Sequence, residues 1–257
     1  MAIDRLKDLT DGRHQAGATL RIAGVPVSVV DLEGAVERIL GWARHPRGRY
    51  VCVRDLHGLV LALEDRQMMR IHEEADMVTP DGMPLVWLGR ACGLQMGRAC
   101  GADLMARVVA RSADAGVSQF FLGGRPGVGV RLGEKFTAMY PHLQIAGSHE
   151  LPFAPIEDYD LEAIVEHVNA SGAGVVWVGL STPRQELLMH RIARRTRATF
   201  IGVGAAFDFH SGDVKRAPRW MQRVGLEWVY RVLQDPERLG PRYVLLIVKL
   251  IRYSWRR

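Results

Sequence analysis

The chain has 257 residues, 48% of them hydrophobic and 24% charged, a composition typical of a folded globular protein with a sizeable core. The first twenty or so residues are charged and contain no apolar run, and no stretch approaches the length of a bilayer span. We therefore expect neither a signal peptide nor a membrane-spanning helix. Three cysteines without a CxxC pair argue against a disulfide framework or a metal site, and they fit a reducing cytoplasm.

Charge is distributed unevenly along the chain. From Lys215 to the C-terminus there are eleven Lys and Arg residues and three acids, a net charge of +8, whereas the residues before Lys215 sum to −2. Such asymmetry predicts an anionic partner, which can be a phosphate, a lipid surface or a nucleic acid.

Amphipathic helical patterns alternate with short apolar runs. Asp31 is a candidate N-cap for a helix whose apolar positions run from Leu32 to Ala43. Further helices are predicted over 101–115, 128–140, 161–171 and 182–195, and strands over 50–53, 119–122, 143–146, 175–179 and from 199 onward. This alternation predicts an α/β fold with a parallel sheet covered by helices on both faces. Ligands of such sheets bind beyond the carboxyl ends of the strands.

The pattern changes after Arg216, where arginine and aromatic residues interleave and the chain ends in YVLLIVKLIRYSWRR. This final stretch is too short to span a bilayer. Composition favours equally a helix lying in a membrane interface and a core-packing helix with a solvated cationic end.

The stretch VTPDGMPLVW places Asp81 between Pro80 and Gly82, residues that are typical of a tight turn. Two interpretations are open. The Asp81 carboxylate bonds its own backbone in the turn, or a rigid loop presents it where it can take a proton.

Three glycine-containing segments follow predicted strands. GGRPGVG makes Gly123, Gly124, Arg125 and Gly127 candidate phosphate ligands, although its spacing is not the dinucleotide GxGxxG and a plain turn is the alternative. GLSTPRQE follows with Gly179, candidate caps at Ser181 and Thr182, and Pro183 near the first turn of a helix. In this segment Gln185 and Glu186 are candidates to contact a sugar or base, and on this motif alone an ordinary helix start is favoured.

The third segment, GVGAAFDFHSGDVKRAP, contains Gly204 and ends in a basic pair. Lys215 and Arg216 can neutralise a phosphate, although basic pairs more often form a solvated surface. Asp208 is interpreted as structural. No HExxH or GxSxG motif is present, so zinc-dependent or serine hydrolysis has little support.

Taken in order, TPDGMPLVW, GADLM, FFLGGRPGVG, YPHLQIAG, VGLSTPRQE, IGVGAAFDFHSG, KRAP and GLEWVYRVLQDPER resemble the WecG/TagA/CpsF glycosyltransferases, glycosyltransferase family 26. The resemblance extends from about Gly24 to about Tyr243. It implies a Rossmann-like core over 21–216, a flexible segment over 1–20 and a basic, membrane-associating helical appendage over 217–257.

The resemblance also implies the activity. It is the inverting, metal-independent transfer of an N-acetylmannosamine-type sugar or glucose from a UDP-sugar to an undecaprenyl-diphosphate-linked acceptor in cell-surface polysaccharide synthesis. No cofactor is implied. The implied partners are both substrates and an anionic membrane, at the inner face of the bacterial cell membrane, with no nucleic acid. Homo-oligomerisation is left open.

Residue by residue, the resemblance places the catalytic base on Asp81, followed by Gly82, and the glutamine of the family's P-x-Q-E motif on Gln185. The arginines that hold the diphosphate fall on Arg231 and Arg238, with Arg242 a looser match. The glycine loops at 123–127 and 179–181 would border the nucleotide-sugar.

One motif departs from the family pattern. Where the family usually has Thr-x-Asn, VCVRDLHG has Val53 and Asp55. Asp55 is expected near Asp81, where like-charge repulsion would raise the Asp81 pKa. This departure leaves the donor and acceptor sugars open.

Two other classes remain as alternatives. The first is a nicotinamide-dependent oxidoreductase on a doubly wound sheet, which the strand–glycine–helix unit supports and the glycine spacing opposes. The second is a nucleic-acid-binding module that uses the basic aromatic tail, against which the apolar YVLLIV run favours lipid.

Overall fold

A computed structural model describes residues 17–237, 240, 241 and 249. Most of the predicted N-terminal segment, the predicted diphosphate ligands Arg238 and Arg242, and nearly all of the final apolar run lie outside these residues.

Within the described residues, eight strands form two sheets. They are β1 (Thr19–Ile22), β2 (Val25–Ser28), β3 (Arg49–Arg54), β4 (Met77–Pro80), β5 (Gln119–Gly123), β6 (Ile145–His149), β7 (Val175–Gly179) and β8 (Thr199–Gly202). The first two pair as an antiparallel hairpin. The other six form one parallel sheet in the order β4-β3-β8-β7-β5-β6.

Helices connect the strands and cover both faces of this sheet. They are α1 (Leu32–Ala43), α2 (Leu56–Glu64), α3 (Arg66–Glu73), α4 (Met83–Ala91), α5 (Gly101–Ala115), α6 (Val128–Met139), α7 (Leu161–Ser171), α8 (Arg184–Ile192), α9 (Ala206–Ser211), α10 (Arg219–Arg223) and α11 (Glu227–Gln234). Short 3₁₀ turns occur at Ile156–Asp158 and Ala193–Arg195. The predicted Rossmann-like α/β architecture is confirmed.

Helix α1 shows how sequence pattern becomes packing. The Asp31 side chain accepts a hydrogen bond from the Gly34 N–H (2.8 Å), which satisfies one of the free donors at the helix start. Val36 and Ile39 project from one face and are fully buried. Burying each of these side chains contributes about 1.5–3 kcal/mol, so the apolar face holds α1 on the sheet.

The central strands are mostly apolar because both faces of the sheet are covered. Residues Val175 to Val178 of β7 are fully buried, and the indole N–H of Trp177 donates to Gln119 Oε1 of β5 (2.9 Å). One core packs between the sheet and the helices α2, α3, α7 and α8, and a second lies on the α1, α5, α6 and α9 side.

Several elements were not predicted. The β1–β2 hairpin, the helices α2, α3 and α4, and strand β4 lack a long periodic pattern. Strand β4 has only four residues and ends in Pro80. A proline cannot donate to a sheet, but β4 lies at the edge of the parallel sheet, where this is tolerated. The glycine-containing segment after β8, for which no helix was predicted, contains α9.

One capping prediction was wrong. The N-cap of α8 is Pro183, and among the described side chains neither Ser181 nor Thr182 nor any other caps this helix. The Thr182 hydroxyl donates instead to Glu186 Oε1 (3.2 Å), which lies further along the same helix.

The first part of the appendage forms α10 and α11, which pack against the core near α4. A Cβ placed on Gly225, between these two helices, would lie 2.8 Å from the Met83 side chain. Across the residues that the structure describes, none of the helices combines the length and the apolar character needed to cross a bilayer.

Candidate active site

A cavity of about 1290 Å³ opens at the carboxyl edge of the parallel sheet. All six parallel strands reach it. Its wall includes a residue that follows each of them, namely Asp55, Asp81, Gly124, Glu150, Leu180 and Val203. A smaller cavity of about 600 Å³ lies between α6 and β6 and contains none of these residues. The large cavity therefore occupies the position expected for the ligand site of such a sheet.

The two acids Asp55 and Asp81 lie next to each other because of strand register. Arg54 at the end of β3 pairs with Pro80 at the end of β4, and the next residue on each strand is an aspartate. The Asp81 N–H donates to the Arg54 carbonyl (2.8 Å), which fixes the two chain segments together. The Asp55 carboxylate also caps α2 by accepting from the Gly58 N–H (2.9 Å).

Asp81 is held from one side by Arg98. The Nε of Arg98 donates to the Asp81 carbonyl (2.6 Å), and its Nη2 lies 3.3 Å from Asp81 Oδ1. Burial raises the Asp81 pKa above its ordinary value; Arg98 opposes this shift, while the negative charges of Asp55 and Glu227 add to it. The charge of Asp55 therefore acts on the Asp81 pKa in the predicted direction.

Arg98 belongs to a charged network that joins the core to the appendage. Its Nη2 donates to Glu227 Oε2 at the start of α11 (2.7 Å), and Arg216 Nε donates to Glu227 Oε1 (2.8 Å). Arg216 also donates to both carboxylate oxygens of Asp103 in α5, and Oδ2 of Asp103 accepts from the Cys100 thiol as well (2.9 Å). These contacts raise the pKa of Arg216 and lower that of Glu227 despite their partial burial. We call Arg98, Asp103, Arg216 and Glu227 the arginine–glutamate network.

The glycine loops border the cavity in part. Gly82, Gly124, Gly179 and Gly204 line it. Gly179 is also required for packing, because a Cβ there would lie 2.4 Å from the Phe207 ring.

Two glycines of the first loop, Gly123 and Gly127, are not among the lining residues. The Gly127 N–H, a predicted phosphate donor, donates to Glu150 Oε1 (2.7 Å). At this position a carboxylate of the protein takes the place expected for a phosphate.

The basic residues predicted to meet phosphate differ in their surroundings. Arg125 is 58% exposed at the cavity rim and pairs with Asp208 (2.9 Å) and Asp213 (3.1 Å). Asp208, which was interpreted as structural from the sequence, forms the first of these ion pairs. Lys215 is exposed and lines the cavity, whereas Arg216 lines it from within the arginine–glutamate network.

The last two residues of the PRQE motif, Gln185 and Glu186, have different surroundings. Ser181 and Gln185 line the cavity, while Pro183 is not among the lining residues. Glu186 is completely buried behind the wall, where its carboxylate pairs with the equally buried Arg54. The structure therefore departs from the prediction that Glu186 contacts a ligand, because no surface of its side chain is accessible.

The structure describes little of the three appendage arginines that were predicted to hold the diphosphate. Arg231 belongs to α11, but its side chain is not among the described parts of the structure, and Arg238 and Arg242 lie outside the described residues. Near them, Trp228 and Gln234 of α11 line the cavity. The appendage thus forms part of the wall.

Sequence reasoning missed Arg98, Asp103 and Glu227. Each lies in or next to a motif that was recognised, since Arg98 precedes GADLM, which contains Asp103, and Glu227 belongs to EWVYR. Polar residues inside these motifs were the available signal. Their partners are far apart in sequence, so the pairing itself was not visible.

Within the described part of the chain, no group of three or more His, Cys, Asp or Glu side chains is arranged to hold a metal ion. The positive charge around the cavity comes from arginine and lysine side chains.

One comparison with known proteins identifies the chain. The model of the glycosyl transferase WecG/TagA/CpsF family matches residues 20–257, nearly the whole sequence.

Proposed function

The chain belongs to the WecG/TagA/CpsF family of glycosyl transferases, and we propose that it moves a sugar from a UDP-sugar to a polyprenyl-diphosphate-linked acceptor with inversion and without a metal ion. The observation that carries this proposal is the position of Asp81. It is a cavity-lining carboxylate with a raised pKa, fixed beside an arginine at the carboxyl edge of the sheet.

In the proposed reaction Asp81 acts as general base. The acceptor hydroxyl transfers its proton to the Asp81 carboxylate while its oxygen attacks the anomeric carbon of the donor sugar. The bond from that carbon to the diphosphate oxygen breaks, and UDP leaves with the electron pair. A single displacement inverts the configuration at the anomeric carbon, and general-base assistance contributes roughly a hundred- to ten-thousand-fold to the rate.

The negative charge that develops on UDP requires stabilisation. Guanidinium groups bind phosphate oxygens through two parallel hydrogen bonds, and preorganised cations contribute most at sites shielded from water. Arg98 and Arg216 line the cavity on the Asp81 side and support this role. We assign the same role to Arg231, Arg238 and Arg242, and place Arg125 and Lys215 at the rim.

A lipid-linked acceptor requires access to a membrane surface. Two tryptophans of the appendage support such contact, because Trp220 is 61% exposed and Trp228 is 41% exposed. The net charge of +8 from Lys215 onward would attract anionic headgroups. We propose that the appendage attaches the chain to the inner face of the bacterial cell membrane.

The test is a screen of UDP-sugars, including UDP-glucose and UDP-N-acetylmannosamine, against a short-chain polyprenyl-diphosphate acceptor, with release of UDP as the readout. We expect acceptor-dependent UDP release that continues in EDTA. Binding of NADH without binding of UDP would favour the oxidoreductase alternative. Loss of all turnover in EDTA would contradict the metal-independent mechanism.

A further inference from the structure

A buried ion pair lies immediately behind the cavity wall. Arg54 and Glu186 are 1% and 0% exposed, and Arg54 Nη2 contacts Glu186 Oε1. Each is the direct sequence neighbour of a cavity-lining residue, Asp55 and Gln185 respectively. Removing one partner of such a buried ion pair strongly destabilises the folded state, because the remaining charge is left without a partner.

The carboxylate of this pair determines how the Gln185 side chain is oriented. Gln185 Nε2 donates to Glu186 Oε1 (2.7 Å). A carboxylate paired with arginine only accepts hydrogen bonds, so the amide nitrogen of Gln185 and not its oxygen must face Glu186. The two ends of the amide are thereby distinguished, and Oε1 is directed away from the ion pair.

Gln185 Oε1 is buried and has no hydrogen-bond partner among the described residues. The amide lies against the end of β8, where Gly202 and Gly204 also line the cavity and carry no side chain over it. A Cβ on Gly202 would lie 3.1 Å from Gln185 Nε2, and one on Gly204 would lie 3.6 Å from Oε1. Leaving a buried acceptor without a hydrogen bond costs free energy, and a ligand in the cavity can supply the missing donor.

We infer that Arg54 and Glu186 are positioning residues. They fix the polarity of the Gln185 amide, already a candidate from sequence to contact a sugar or base, so that its Oε1 accepts a hydrogen bond from an O–H or N–H donor of the nucleotide-sugar. The inference rests on the proposed function, since it takes the ligand to be a UDP-sugar. Phosphate oxygens only accept, so this point of the wall recognises the sugar, the ribose or the base and not the diphosphate.

The first test compares the wild-type chain with Gln185→Leu, which keeps the bulk of the side chain and removes the acceptor. Calorimetric titration with UDP and with UDP-glucose measures both affinities. We expect affinity for UDP-glucose to fall by about tenfold, the loss typical of one hydrogen bond. A loss for UDP-glucose alone identifies the sugar as the source of the donor, and an equal loss for UDP identifies the base or ribose. Unchanged affinity for both would overturn the inference.

The second test asks whether the ion pair acts through Gln185. The variant Arg54→Met with Glu186→Met replaces the pair by apolar side chains of similar size, and it should show the same loss as Gln185→Leu. Combining all three changes should then add little, because both variants remove one interaction. Additive losses would assign the pair a purely structural role and overturn the positioning assignment.

Controls separate folding and function. Arg107→Met with Glu33→Met makes the same chemical change in an exposed ion pair between α5 and α1 (2.7 Å) and should leave both affinities unchanged. Thermal unfolding of each variant reports whether it folds. If the Arg54→Met, Glu186→Met variant does not fold, Glu186→Gln takes its place, and Glu186→Gln should weaken UDP-glucose binding in the same way as Gln185→Leu. A wild-type chain that binds no uridine nucleotide would overturn the proposed donor, and the inference with it, without any variant.

Discussion

At the scale of single residues, Asp81 shows how a turn and a proton acceptor are combined. Its backbone N–H and carbonyl are bonded to Arg54 and Arg98, while its carboxylate lies at the cavity beside Arg98. Of the two interpretations open from sequence, presentation of the carboxylate by a rigid loop agrees with these contacts. Pro80 ends the strand, and the backbone bonds hold the bend that follows it.

The first prediction concerns Asp81→Asn. UDP release should fall by roughly a hundred- to ten-thousand-fold, because the amide cannot accept the acceptor proton. Asp114→Asn, the same change on the exposed surface of α5, is the control and should retain turnover. Turnover near the wild-type level in Asp81→Asn would remove Asp81 from the role of base.

The same Asp81→Asn change should lower activity without lowering the stability of the fold. Because the folded-state pKa of Asp81 is raised, its favourable contribution is complete below the unfolded-state pKa and is lost as pH rises through the folded-state value. At neutral pH the ionised carboxylate therefore costs stability. The Tm of Asp81→Asn should be no lower than that of the wild type, and a clear drop would show that the carboxylate is needed for folding.

The second prediction concerns pH. The charged groups that act on Asp81 are Arg98, Asp55 and Glu227. Asp55→Asn removes one negative charge and keeps an effective N-cap on α2, so the Asp81 pKa should fall and the acidic limb of the kcat/KM profile should move to lower pH. Asp65→Asn makes the same change at the N-cap of α3 and should leave the profile in place. A limb that stays fixed in Asp55→Asn would show that Asp55 does not influence the base.

At the scale of elements, helix α11 is joined to the core through its first residue. Glu227 is only 9% exposed and bridges Arg98, which also holds Asp81, and Arg216, which also holds Asp103. The position of the appendage and the surroundings of the base are therefore linked by a chain of ion pairs. This linkage explains how a segment after the α/β core contributes to the wall of the site.

The third prediction concerns Glu227→Ala. Two partly buried guanidinium groups would lose their shared carboxylate, so the free energy of unfolding should fall by about 1.5–3 kcal/mol in urea titrations, the range for a hydrogen bond to a charged group. UDP release should also decrease, since α11 and Arg98 lose their common anchor. Glu237→Ala removes an exposed acid from the same appendage and serves as the control. If stability and turnover of Glu227→Ala both match this control, the network does not hold the appendage in place.

At the scale of the whole molecule, the residues before Lys215 have a net charge of −2, whereas those from Lys215 to the C-terminus have a net charge of +8. Electrostatic attraction to anionic lipid is screened by salt, whereas apolar contacts are not, so salt dependence distinguishes the two contributions. The exposed tryptophans of the appendage and its arginines allow both kinds of contact.

The fourth prediction concerns truncation after Pro218. The shortened chain should lose both UDP release and co-sedimentation with vesicles that contain phosphatidylglycerol. Replacing Arg252, Arg256 and Arg257 by Gln should weaken vesicle binding in a salt-dependent manner and leave the core intact. A truncated chain that keeps full activity would refute the assignment of the appendage arginines to the diphosphate.

Much of the fold was predictable from sequence because it depends on local periodicity. The helical spacing from Leu32 and the capping role of Asp31 agree with α1, and the predicted bounds of α5 and β7 agree with the structure. Long amphipathic patterns and continuous apolar runs are strong local signals. Strand β4 escaped prediction because four residues that end in proline carry little such signal, and its place in the sheet depends on pairing with β3.

The sequence by itself determined the family, the α/β class, the glycine-bearing strand ends and the concentration of positive charge after Lys215. Only the tertiary structure decided that Glu186 is buried against Arg54, that Glu150 occupies the Gly127 N–H, and that Arg98 and Arg216 share Glu227. The physical reason is sequence separation. Periodicity and turn chemistry act over a few residues, whereas these ion pairs join positions that meet only when the sheet brings its strand ends to one edge.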